Sequence, residues 1–194
     1  MNTLVQSCKS KKYCDESKIL NILVDKYIHE FGNCYEIEDQ WWGDKDLNWE
    51  QAIERAWKSR FANGKMHGHQ CRVAHNSANG LEKTLVNKLQ PKELNDFQTL
   101  YDWIKSVVGC INGLGRTTAY DVARRLGAWL GLKPSCVYLH AGAAMGAKKL
   151  GIRGEVVPLS VFPKEIQSLG TMHAENFLCI YKHQIPDNIT VGED

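Results

Sequence analysis

Apolar residues recur at helical spacing along most of the chain. In SKILNILVDKYIHEF, Ile19, Leu20, Leu23, Tyr27 and Phe31 form one stripe, with Ser17 placed to cap the helix and Gly32 to stop it. In NWEQAIERAWKSRF, Trp49, Ile53 and Trp57 repeat every four residues behind a capping Asn48. Between these two helices, EIEDQWWGDKD reads as a short acidic connection rich in tryptophan. After Phe61 the run ANGKMHGHQCRVAHNSANG is polar and holds three glycines and three histidines, which predicts a loop. A helix is expected from about Gly80 to Leu89.

Pro91 opens PKELNDFQTLYDWIKSVV, in which Leu94, Phe97, Leu100, Tyr101, Ile104, Val107 and Val108 make a wide apolar face. RTTAYDVARRLGAWLGL predicts the next helix, and Pro134 starts another through PSCVYLHAGAAMGAKKLG. GEVVPLSVF has strand-like residues interrupted by proline and is left unassigned. Thr171 caps a last helix, TMHAENFLCIYKH. No repeat of fixed period is present. Helices joined by short connections predict an all-α fold, a helical array whose core runs from about residue 91 to 151.

Charge divides the chain further. Residues 1–54 hold eleven acids against six Lys or Arg, whereas Arg55 to Leu81 carry five Lys or Arg and no acid. From Lys105 to Arg153 there are eight Lys or Arg and a single acid, Asp121, and the tail from Gly154 turns acidic again. This suggests an acidic helical N-terminal part (1–54) and a basic domain with a closing C-terminal helix (55–194), together one compact body. A one-sided basic stretch is costly to pack unless an anion faces it, and phosphate is the usual one; a solvated Lys/Arg face is the plainer explanation.

Composition narrows the class. An apolar fraction of 43% argues against disorder. No eighteen consecutive apolar residues occur, so no membrane partner is expected. The N-terminus has lysines but no apolar core of a secretory signal, and seven cysteines, an odd number, read as thiols in a reducing cytoplasm.

The most informative segment is Cys110-Ile111-Asn112-Gly113-Leu114-Gly115-Arg116-Thr117-Thr118-Ala119. Two glycines about one leucine let the backbone turn sharply between two helices, and Leu114 is placed to anchor the turn. The second helix starts at once with Arg116, Thr117 and Thr118, whose amides point outward at its N-terminus. A bare glycine backbone at a helix start is suited to a phosphate.

Ile111, Gly113, Leu114, Gly115, Thr118 and Ala119 resemble, position by position, the helix-hairpin-helix element of DNA-binding proteins. Over roughly residues 97–151 the chain also resembles the DNA glycosylases of the endonuclease III type, with Val137-Tyr138-Leu139-His140 standing where those enzymes have V-D-T-H. The resemblance implies backbone binding through Gly113–Thr118. It does not bring the chemistry. Thr117 stands at the position of the lysine nucleophile and cannot form a Schiff base. Tyr138 stands at that of the catalytic aspartate and is not ionised near neutral pH. The iron–sulfur loop of some members needs four cysteines near the C-terminus, and only Cys179 lies there, so no cluster is expected. A looser likeness, over about half the chain, is to bacterial proteins of unknown function with the same hairpin core.

Other residues have two readings each. His67, His69, Cys71 and His75 are competent zinc ligands, but their spacing matches no common zinc module, and a basic histidine loop with no metal is the preferred reading. Asp121 is the lone carboxylate of the basic region and a candidate acid or base; an ion pair with Arg125, four residues on, is the structural alternative. His140 and Tyr138 are candidate catalytic residues or hydrogen-bonded core. Arg60, Lys65 and Arg72, with Arg116, are candidate phosphate contacts, whereas Arg124, Lys148 and Lys149 could be ordinary surface charges. Trp57, Trp103 and Trp129 are expected in the core, and Trp41 and Trp42 either pack back or face a protein partner. The functions expected are nucleic-acid binding, with DNA as the main partner and RNA open to the same contacts; an N-glycosidic hydrolase with a non-standard residue set; or a protein-interaction module.

Overall fold

The computed structural model of the chain describes residues 2–187 except 67 and 69, with side chains from Ser17 onward. The fold is predominantly helical, and the described residues form one two-stranded sheet. No described helix is long and apolar enough to cross a membrane. Contacts divide the chain into two compact units, 34–134 and 1–33 with 135–194. The change of charge at residue 54 falls inside a helix.

The unit 34–134 contains α2 (Cys34–Trp42), α3 (Trp49–Lys58), α4 (Ala74–Val86), α5 (Phe97–Gly109) and α6 (Arg116–Leu130). α6 packs against α5, α3 and α2, and Ala119, Val122, Ala123 and Leu126 carry its apolar side into the core. Asn48 caps α3 as expected: its Oδ1 accepts from the Gln51 amide and the Gln51 side chain accepts from the Asn48 amide, each at 2.9 Å. Trp57 and Trp103 are core residues, while Trp129 is half-buried with its ring tilted against Trp49, centroids 5.3 Å apart.

Three elements differ from expectation. EIEDQWWGDKD is not a connection, because α2 covers most of it; Trp42 is buried, and Arg124 draws in both acids, pairing with Glu38 and with Asp39 at 3.0 Å. Arg124 is therefore no surface charge. α4 begins at Ala74 rather than near Gly80, because its inner face is made of small residues: Ser77, Gly80 and Thr84 are buried, and Gly80 passes directly under the Trp57 ring. Pro91 opens only a short 3-10 turn (Pro91–Glu93), and α5 starts six residues later behind Asp96, whose side chain accepts from the Thr99 amide at 2.7 Å.

The other unit holds α1 (Asn2–Phe31), α7 (Ala141–Lys149), α8 (Lys164–Gln167) and α9 (Thr171–Ile180). Ser17 lies within α1 instead of capping it, and bonds to Glu165. Leu20, Leu23, Val24 and Tyr27 of α1 enter the core, but Ile19 is on its exposed side. The helix expected from Pro134 starts only at Ala141; before it, β1 (Val137–Tyr138) pairs antiparallel with β2 (Val156–Val157), in register Val137 with Val157 and Tyr138 with Val156. Gly170 occupies the cap position of α9, and Thr171 is its first residue. Phe162, Ile166, Ala174, Phe177 and Leu178 complete this core.

Candidate nucleic-acid interface

The α5–α6 hairpin closes through its own backbone. The Cys110 amide reaches Val107 O at 3.2 Å, that of Ile111 reaches Val108 O at 3.0 Å, and that of Leu114 reaches Ile111 O at 3.3 Å. Ile111 is buried and anchors the turn, whereas Leu114, expected in that role, is only half-buried. Gly113 has φ +83, and a Cβ there would stand 2.7 Å from Asn76 Nδ2, so the fold itself demands glycine.

Gly115 is different. It caps α6 in extended backbone, φ −142 and ψ −174, and a Cβ on it would meet open space. No side chain caps the first turn of α6, whose first helical amide bond runs from Ala119 to Gly115 O at 3.1 Å. The amides before it carry the positive end of the helix dipole. Gly113, Gly115 and Arg116 are exposed and Thr117 is half-buried. The Thr118 side chain is buried, so only its backbone belongs to an accessible surface.

Two polar side chains fasten the first turn of α4 and the segment before it to this region. Asn76 donates from Nδ2 to Asn112 O at 3.0 Å, and Gln70 donates from Nε2 to Asp121 Oδ2 at 2.9 Å. Arg72 lies between these two tethers in sequence and is exposed. Arg60 and Lys65 are exposed on the preceding turn, where Arg60 pairs with Met66 as an antiparallel bridge and its Nη1 donates to Gly64 O at 2.7 Å.

Asp121 is buried among partners. Behind it Arg125, 2% exposed, donates from Nη1 to Ser59 Oγ at 2.7 Å and to Ala56 O at 3.2 Å, and its guanidinium lies 5.1 Å from the Trp42 ring centroid. Burial brings the Arg125 pKa down to about 10, against the pull of Asp121 that favours its charge. Arg124 is held by a different balance: burial lowers its pKa, but Glu38, Tyr35 and Asp39 together more than offset this and leave it raised. The lone acid of the basic region is thus buried, accepts from Gln70 and favours the charged form of Arg125.

Of the suggested zinc ligands, His67 and His69 lie outside the described residues. Cys71 and His75 are exposed, and the Cys71 thiol lies 3.9 Å from Met66 O. Tyr138 and His140 belong to the other unit. Tyr138 is buried on β1, and His140, at the cap of α7, has Nε2 3.4 Å from Oε1 of buried Glu175. The next residue, Ala141, has φ +40, a strained position for a residue with a Cβ.

Gln70, Asn76 and Glu175 escaped the sequence reading. Each is a single polar residue whose partner is remote in the chain, and no local pattern marks such a residue. No family model matches the chain, and neither a curated protein nor a solved structure matches it.

Proposed function

We propose that this protein grips the sugar–phosphate backbone of a nucleic acid, DNA in the first instance, through the turn from Gly113 to Thr118. The observation that carries the reading is the contrast between the two glycines. Gly113 is explained by the protein's own conformation. Gly115 is not, since its backbone suits any residue and its missing side chain leaves only open space. Serine, aspartate or asparagine there would add a cap bond to α6. What glycine supplies instead is unobstructed approach to the first amides of α6, next to exposed Arg116. An anion is the ligand such a helix start favours, and a phosphate in a chain of phosphates is the one that a wider basic surface rewards. Backbone contacts carry no base information, so this binding is independent of sequence.

Fluorescence anisotropy with a labelled duplex bearing a single-stranded tail, over a salt series, tests the reading with wild type beside Gly115→Asp. Aspartate caps helices well, so the variant keeps or gains thermal stability, while its carboxylate meets the phosphate. The expected result is an affinity loss of about tenfold or more, with a shallower salt dependence. Equal affinity of the two proteins, or no binding by wild type at low salt, overturns the proposal.

A further inference from the structure

Alongside the hairpin runs an open groove of about 620 Å³, walled on one side by α4 and on the other by the turn from Cys110 to Asn112. We propose that this groove takes the bases of one unpaired strand, so that the ligand is single-stranded or locally opened nucleic acid and not an intact duplex. The proposal rests on the backbone reading above and names the substrate for it.

The volume lies within the roughly 300–1,000 Å³ of ligand-binding clefts. The α4 wall is one face of the helix: Asn76, Asn79, Lys83 and Asn87 follow at helical spacing. At 1.5 Å per residue, Asn76 to Asn87 spans about 16 Å, the length of roughly five stacked nucleotides.

The lining chemistry separates this surface from the hairpin. Lys83 and Glu82 cancel, and the carboxamides of Asn76, Asn79, Asn87 and Asn112 dominate. A carboxamide offers both donors and an acceptor, the mixture a base edge presents, whereas a phosphate only accepts. Asn76 Nδ2 spends its bond on Asn112 O, fixing the two walls to each other, and Asn87 Nδ2 bonds Lys83 O at 3.3 Å. Among the described residues the side-chain amides of Asn79 and Asn112 have no partner, and both residues are exposed.

Shape then decides between the forms of nucleic acid. A duplex shows its base edges at the bottom of its own grooves, so a protein reads them with something convex. This surface is concave, and a concave surface receives bases that project from an unpaired strand. Gly115 follows the groove-lining Asn112 by three residues in the same turn, so one strand can have its backbone on the hairpin and its bases against α4.

Cys110 supplies a probe, since it lines the groove and is exposed. Its alkylation by N-ethylmaleimide, resolved by mass spectrometry, is followed with a saturating short single strand and with the duplex of the same sequence. The single strand is expected to slow modification of Cys110, and the duplex to leave it nearly unchanged. The double variant Asn79→Ala/Asn87→Ala, at two exposed positions, is expected to lose about fivefold or more in single-strand affinity while keeping the wild-type salt slope. Unchanged Cys110 reactivity together with full affinity of the double variant, in a protein whose binding is still lost in Gly115→Asp, overturns the groove and leaves the hairpin reading standing. Absence of binding to either oligonucleotide by wild type overturns both.

Discussion

Gln70 Nε2 and Asp121 Oδ2 lie 2.9 Å apart, and both side chains are buried. This bond ties the segment that leads into α4 to the second turn of α6, across fifty-one positions of sequence. Gln70→Ala removes this donor to the buried carboxylate and opens space beside it. A stability loss of about 1–3 kcal/mol is expected from losing a hydrogen bond to a buried charged group, read by urea unfolding. Hydrogen exchange should quicken in residues 70–76 before it does in α5. Uniform exchange and unchanged stability would mean that the bond holds nothing in place.

Asp121 also favours the charge of the buried Arg125 guanidinium, and this makes a single substitution and a double one unequal in kind. Asp121→Asn preserves an acceptor for Gln70 but leaves Arg125 as a buried cation that has lost its balancing charge. Removing one partner of a buried pair costs about 3–5 kcal/mol, and denaturant unfolding should show a loss of that order. Replacing both, as Asp121→Asn/Arg125→Met, should recover part of it, because no uncompensated charge remains. A double variant less stable than either single one would contradict this account. If Asp121 were instead a reacting group, Asp121→Asn would leave stability intact.

The turn glycines make a second contrast that stability alone can read. Gly113→Ala forces a Cβ into left-handed backbone and against Asn76, and is expected to cost about 1–2 kcal/mol or more. Gly115→Ser introduces a capping hydroxyl into open space and is expected to gain a few tenths of a kcal/mol. Thermal unfolding by circular dichroism separates the two; a comparable loss at both positions would mean that Gly115 too is demanded by the fold.

Much of this was legible in the residues themselves. The capped α3, the apolar face of α5 and the glycines between α5 and α6 follow local rules that act within a few positions. α2 and the start of α4 do not. α2 stands on Trp42 and on acids whose cation, Arg124, is about eighty-five residues away. The beginning of α4 is buried through Ser77, Gly80 and Thr84, small or polar residues that leave no hydrophobic period. For the candidate site, the open backbone of the turn could be read from Gly113 and Gly115. The asparagine face of α4 could not, because N-S-A-N-G resembles a loop until Trp57 is seen to pack on its glycine.

Acid should weaken one cap in a way that a single substitution isolates. The Thr99 amide donates to the Asp96 carboxylate at the start of α5, and that bond, helped by the Thr99 hydroxyl, holds the Asp96 pKa below its usual value. A carboxyl with a lowered folded-state pKa contributes its stability fully above the unfolded value of about 3.9, and loses it as pH falls through the folded value. Asp96→Asn keeps an acceptor for Thr99 but does not titrate. Wild type should therefore unfold at a higher temperature than the variant at neutral pH, and the gap should close as the solution is acidified below that range. Asp44, lowered by the Asp46 amide and by Arg55, titrates identically in both proteins and drops out of the difference. A gap that stays constant from neutral pH to the acid limb would mean that the charge on Asp96 adds nothing to the cap.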